Sequence, residues 1–184
     1  GIRLLEDDPV FNAGTGSKIQ ADGKIRMSAA LMDGVENRFS GVINVQNIRF
    51  PIEAAALLSK EKNTVLSGNQ ATEFCRKHGF VEHDPLTHLR LQEYKQKLNG
   101  LHGTVGIVAL DKKGRIFAGT STGGIGNEMP GRVSDSPTVA GTYASSKAGV
   151  SCTGIGEQIV QQAAAAKIVT RIEDGMSLHD AVSK

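Results

Sequence analysis

Tryptophan is absent from this 184-residue chain, and aromatic residues make up only 4% of it. So few rings cannot furnish a base-stacking surface. The scattered basic residues leave a net charge of only +2, so nucleic acid is not an expected partner. There are two cysteines, Cys75 and Cys152, too few for a disulfide framework or a metal cluster. That scarcity favours a reducing compartment and a cytoplasmic location. No apolar run is long enough to cross a bilayer, so no membrane partner is expected either. What the chain does have is glycine, 22 residues concentrated in turns and in one central region, a pattern of close backbone approach.

The length suits one buried core and one domain. The chain opens on Gly1 and runs out at Ser183-Lys184 inside a helical pattern, so both ends are expected to continue in a longer protein. Residues 4–17 read as a turn-rich loop. Residues 25–33 and 41–45 have strand character, with Asp22-Gly23 as a hairpin-type turn before the first. Pro51 opens a helix through Leu58. A short strand at 64–66 precedes a helix over 68–78, which Gly79 stops. Polarity rises over 81–102, where Leu86, Leu89 and Leu98 give only partial helical spacing, and a mostly flexible linker is expected.

Strands at 104–111 and 115–120 follow, joined by Asp111-Lys112-Lys113-Gly114. The first is apolar or small on both faces, as expected for a sheet covered on each side. Residues 123–140 form a long irregular loop, usually a functional feature in a compact domain. A strand near 150–153 leads into one helix over 157–173 that Gly175 ends. Ser177 then caps a last helix with Asp180 three residues on.

The chemistry centres on Gly103-Thr104-Val105-Gly106, where a threonine opens a strand after a polar stretch. A threonine hydroxyl has no obvious local base. Cleavage between Gly103 and Thr104 would create one, because a free α-amine titrates near ~7.7–8.0 and can take the hydroxyl proton. Three polar groups lie downstream: Thr120-Ser121-Thr122-Gly123-Gly124, Gly131-Arg132-Val133-Ser134-Asp135-Ser136-Pro137 and Ser151-Cys152-Thr153-Gly154-Ile155-Gly156-Glu157. Taken singly, each has a plain alternative: a turn, a surface ion pair, a helix start. Together they suit one task. Arg132 and Asp135 match the two charged ends of an α-amino acid. A threonine hydroxyl and a backbone N–H at Thr153-Gly154 suit a developing oxyanion, and Thr122 is placed to hydrogen-bond the nucleophile. Rival patterns fit less well. Gly154-Ile155-Gly156 lacks the third glycine of a dinucleotide fingerprint, and no Gly-Lys-Ser/Thr follows a glycine-rich loop. Cys75 with His78, His83 and His88 matches no standard zinc spacing, and nothing local activates Cys152.

These motifs, with Leu4-Leu5-Glu6…Phe11-Asn12-Ala13-Gly14 and Met32-Asp33-Gly34, resemble the plant-type L-asparaginase/isoaspartyl peptidase family of N-terminal-nucleophile hydrolases. The resemblance implies an α/β fold, a four-layer αββα sandwich of which this chain holds an incomplete part, with 1–103 as the α-subunit portion and 104–184 as the β-subunit portion. It implies self-cleavage between Gly103 and Thr104, supported by Asn12, and then hydrolysis of asparagine or β-aspartyl dipeptides. Thr104 would be the nucleophile and Thr122 its hydroxyl partner. Arg132, Asp135, Thr153 and Gly156 would hold the substrate, and Thr153 with Gly154 would form the oxyanion site. No cofactor is implied for the chemistry. A structural sodium ion is implied on backbone carbonyls of Leu5, Glu6, Asp8, Phe11, Ala13 and Thr15, as is a homodimer of αβ units. The small-molecule grip argues against a threonine protease; a glycosylasparaginase-like relative and a silent homologue serving as a binding module stand as alternatives. Two departures from the family pattern, Ser134 in place of glycine and a turn at Val139-Ala140-Gly141-Thr142 about one residue short, fall in the expected substrate pocket.

Overall fold

In the computed structural model, which describes residues 1–97 and 103–183, a five-stranded sheet carries the chain's first strands and the two strands that follow Thr104. Its strands are β1 (Met27–Asp33), β2 (Arg38–Val45), β3 (Val65–Ser67), β4 (Val105–Leu110) and β5 (Ile116–Thr122), in the order β3-β2-β1-β5-β4. Only the β2–β3 pair is parallel. Alternation along β1 sorts its side chains to two faces. Met27 and Ala29 join the larger core with Val45, Ala54 and Leu58, whereas Met32 joins Ala118 and Ala144 in a second cluster on the opposite face.

The helices α1 (Ile2–Asp7), α2 (Pro51–Leu58) and α3 (Gly68–Lys77) serve the first face, α2 lying against β1 and β2 and α3 against β2. Pro51 stands in the first turn of α2, where its missing N–H would have had no partner. A two-stranded hairpin, β6 (Thr142–Ala144) with β7 (Gly149–Ser151), packs on the second face against β5 and β4. The helix α6 (Ala164–Glu173) packs behind that hairpin, α5 (Gly156–Gln162) leads into it, and α7 (Leu178–Ser183) packs on it.

Several expectations need correction. Residues 2–7 are helical, not loop: Leu4 and Arg3 face water while Ile2 and Glu6 are buried. The stretch 81–97 contains α4 (His88–Lys95), capped by the Thr87 hydroxyl and tied to the core by the buried Arg90. The rest of the expected linker, including Leu98 and His102, lies outside the described residues. β4 is not covered on both sides; it is the sheet's edge strand, and Val108 and Leu110 are 48% and 71% exposed. The helix expected over 157–173 is two helices. Ala163 breaks it in the left-handed region (φ 47°), and the first amides of α6, from Ala165 and Ala166, donate to the Ala140 and Val139 carbonyls instead of continuing α5.

Candidate active site

The β4–β5 register pairs Val105 with Ser121, which sets Thr104 beside Thr122 on the face toward the β6–β7 hairpin. The Thr104 hydroxyl donates to Thr122 Oγ1 at 3.2 Å. The Thr122 hydroxyl in turn faces the carbonyl of Gly103 at 3.4 Å, and the Gly124 amide donates to Thr122 Oγ1 at 3.2 Å. Asn12 closes the other side. Its Nδ2 donates to the Gly103 carbonyl at 2.8 Å and to the Gly124 carbonyl at 2.6 Å, while its Oδ1 accepts from the Lys18 amide. The Gly103 carbonyl thus has two donors aimed at it, and the adjacent hydroxyl is on the same hydrogen-bond chain. Gly103 has no side chain for a reason: a Cβ there would stand 2.9 Å from Asn12 Cβ.

Thr104, Thr122, Arg132, Asp135, Gly154 and Gly156 line a single closed-down pocket of about 10 Å³. Thr153 lies outside that wall. It is exposed and borders a neighbouring cleft of about 280 Å³ that Thr104, Ser151 and Cys152 also line. Gly154 carries the turn between them at φ +151°, a conformation that favours glycine. A separate cavity of about 510 Å³, walled by Arg49, Phe50, His78, Phe80 and His83, contains none of these groups, so size alone does not mark the reactive place.

Arg132 is not the local ion-pair partner of Asp135. Its Nε and Nη2 donate to the two carboxylate oxygens of Glu157 at 2.6 and 3.0 Å. Asp135 is 4% exposed, and its Oδ2 is a buried oxygen with no hydrogen-bond partner among the described residues. Burial pushes its carboxyl up to about 6, against the lowering pull of Arg132. A buried carboxylate oxygen without a donor is suited to an incoming ammonium group. Burial also raises the Cys152 thiol, which leaves it unactivated as a nucleophile.

Other groups escape a reading of the sequence. Thr120, Thr142 and Ser151 link their hydroxyls under the pocket at 2.5 and 2.7 Å, joining β5 to both strands of the hairpin. Only the pairing of β6 with β7 reveals that network, and β6 has no strong local signal. Glu6, fully buried, accepts from the Ser121 hydroxyl at 2.6 Å and from the Ile52 amide at 2.9 Å, and burial raises its carboxyl to about 8.

The cation loop is a partial fit. A Cβ on Gly16 would fall between the Pro9 and Phe11 carbonyl oxygens, so two carbonyls turn toward one spot. The Glu6 and Asp8 carbonyls already accept the Thr15 and Phe11 amides, each keeping one further lone pair.

The asparaginase family model matches residues 1–101 and 95–184 of this chain. The isoaspartyl peptidase/L-asparaginase of Nostoc sp. is 48% identical across all of the chain, which covers 64% of that protein. The enzyme of the same description from Synechocystis sp. is 46% identical, again across the whole chain and 62% of the relative. The plant-type L-asparaginase of Pyrococcus horikoshii is 39% identical over 95% of the chain and 65% of its own length. The chain therefore spans a little under two thirds of these relatives. A family model that takes in both the Asn12 loop and the Gly103-Thr104 strand start, and relatives aligned along its full length, place one conclusion beyond the geometry: this chain belongs to the asparaginase family.

Proposed function

We propose that the full-length protein is a self-activating threonine amidohydrolase that acts on the side-chain amide of L-asparagine, on β-aspartyl dipeptides, or on both. The relatives' descriptions, isoaspartyl peptidase and L-asparaginase, support that substrate class. The observation that carries the reading is the hydrogen-bond chain from the Thr104 hydroxyl through Thr122 to a Gly103 carbonyl that Asn12 also holds.

In the activation step, Thr104 Oγ attacks the Gly103 carbonyl carbon. Its proton moves toward Thr122, and Asn12 and Thr122 stabilise the charge that develops on the carbonyl oxygen. That proton passes on to the amide nitrogen as the C–N bond breaks, so the nitrogen leaves as the Thr104 α-amine, and water hydrolyses the resulting ester to a free carboxylate on Gly103. In turnover, that amine takes the Thr104 hydroxyl proton as Oγ attacks the substrate carbonyl. Ammonia, or the amine of a dipeptide, departs with the proton. Water then opens the aspartyl ester and releases aspartate. Arg132 is assigned to the substrate α-carboxylate, Asp135 to its ammonium, and Thr153 with Gly154 to the oxyanion. Gly156 leaves the room between the two charged groups. Gly103 lines the same pocket as Thr104, Arg132 and Asp135, so in the uncut chain it takes up part of the space around the proposed nucleophile.

The whole protein is assigned a four-layer αββα sandwich. Helices on one face of the five-stranded sheet, a hairpin on the other and α6 behind it support that order. The open edge of β4, with its exposed Val108 and Leu110, is where further strands would extend the sheet. The segment 5–15, from the end of α1 through the turns that follow it, is assigned to a monovalent cation.

Incubating the full-length protein with asparagine and with a β-aspartyl dipeptide tests the reading. Ammonia or aspartate should accumulate with the native protein and not with Thr104→Ala. Release from the Thr104→Ala protein at the native rate would sink it.

A further inference from the structure

Arg132 enters the pocket already held. Glu157 takes one N–H from Nε and one from Nη2, a side-on bidentate pair. A guanidinium has five N–H donors, so both on Nη1 and the second on Nη2 remain for other use. A Cβ on Gly156 would stand 2.8 Å from Arg132 Nη2 and 2.9 Å from Asp135 Oδ1. The space left by the missing side chain is therefore walled by a cation on one side and an anion on the other. Gly156 and Glu157 are consecutive residues in the first turn of α5, so the gap and the group that orients its cationic wall sit on one rigid turn.

We propose that Glu157 is a positioning residue. It locks Arg132 with its unused N–H groups toward the Gly156 gap and so sets the preference for substrates bearing a free α-carboxylate. This rests on the proposed role of Arg132 as the holder of that carboxylate. Two effects of Glu157 oppose each other. Its negative charge weakens the pull of Arg132 on an incoming carboxylate, whereas its grip removes the need to order a long, flexible side chain at each binding event. Glu157 is 56% exposed and Arg132 only 12%, so water screens the charge of the anchor while the geometry it imposes reaches inward. An arginine side chain carries large rotamer freedom, and its loss on binding weakens affinity unless the fork is already fixed. Positioning wins.

The test uses the full-length, self-cleaved protein with asparagine and with asparaginamide, which lacks the α-carboxylate. Glu157→Ala should raise KM for asparagine about tenfold, equivalent to about 1.4 kcal/mol, with kcat within twofold and self-cleavage at Thr104 unchanged. Glu157→Gln, which keeps one acceptor, should fall between. For asparaginamide the variants and the native enzyme should share one KM. An unchanged or lowered asparagine KM in Glu157→Ala, or an equal rise for both substrates, overturns the proposal. Arg132→Ala run alongside separates the two levels. If it leaves the asparagine KM unaltered, the assignment of Arg132 itself falls. If it raises KM and Glu157→Ala does not, only the role of Glu157 falls.

Discussion

Asn12 shows how much one side chain carries at this site. Its amide nitrogen holds the Gly103 and Gly124 carbonyls and its oxygen accepts the Lys18 amide, so it joins the first loop of the chain to the Gly103–Thr104 bond and to the long loop after β5. Loss of an oxyanion donor typically slows acyl transfer by about 10²–10³-fold. Asn12→Ala should slow conversion of the single chain into two fragments on that scale, read from band intensities over time. Asp135 makes a prediction about pH. Its carboxyl titrates near 6 in the empty pocket, because burial raises it. Only the ionised form can hold an ammonium group, so below about pH 6 its protonation should add a further tenfold fall in kcat/KM per pH unit to the fall already set by the Thr104 α-amine, which must be unprotonated to act as base. A profile unchanged by Asp135→Asn would contradict the assignment. The sequence names Thr104, Thr122, Arg132, Asp135 and Gly154, and the fold brings them to one pocket. The Glu157 grip on Arg132 is not legible, because it joins residues 25 positions apart through the approach of a loop to a helix start.

At the scale of elements, legibility follows how local the cause is. Pro51 in the first turn of α2, the Asp111–Gly114 turn between β4 and β5, and the Ser177 hydroxyl bonded to the Asp180 amide all arise within a few residues, and sequence reasoning finds each. The break at Ala163 arises from afar, since the Val139 and Ala140 carbonyls receive the amides that open α6. Alanine in the left-handed region costs about 1–2 kcal/mol. Ala163→Gly relieves that strain but frees the unfolded chain, so a net gain of about 0.5–1 kcal/mol is expected. Urea denaturation should show it as a higher midpoint with an unchanged slope. β4 teaches the same lesson in reverse. Its apolar pattern reads as a covered strand, and it lies exposed at the sheet edge in a chain that spans a little under two thirds of its relatives, at the place proposed for further strands.

Across the whole molecule, Glu6 is the group that joins the helical face to the sheet. It ties α1 to the start of α2 through the Ile52 amide and to β5 through Ser121, one residue from Thr122. Its carboxyl titrates near 8 in the folded chain and near 4.5 as an ordinary side chain. Between those values the folded state binds the proton and the unfolded state does not, so this group's contribution to stability falls as pH rises from about 4.5 to 8. Glu6→Gln removes that dependence. The melting temperature of the variant relative to the native protein should therefore climb across the window and level off above pH 8. A constant difference from pH 5 to 8 would show that Glu6 titrates normally. The mixed α/β class is legible from motifs spread along the chain; the burial of Glu6 is not, because Leu4-Leu5-Glu6 reads as part of a loop until α1 turns that carboxyl inward.

The proposed catalysis requires a free amino terminus at Thr104. Mass-spectrometric sequencing of the active full-length protein should find a fragment that begins at Thr104 with a free amine, and Thr104→Ala should remain a single chain. An enzyme that releases ammonia from asparagine while every molecule still carries the Gly103–Thr104 peptide bond would contradict it.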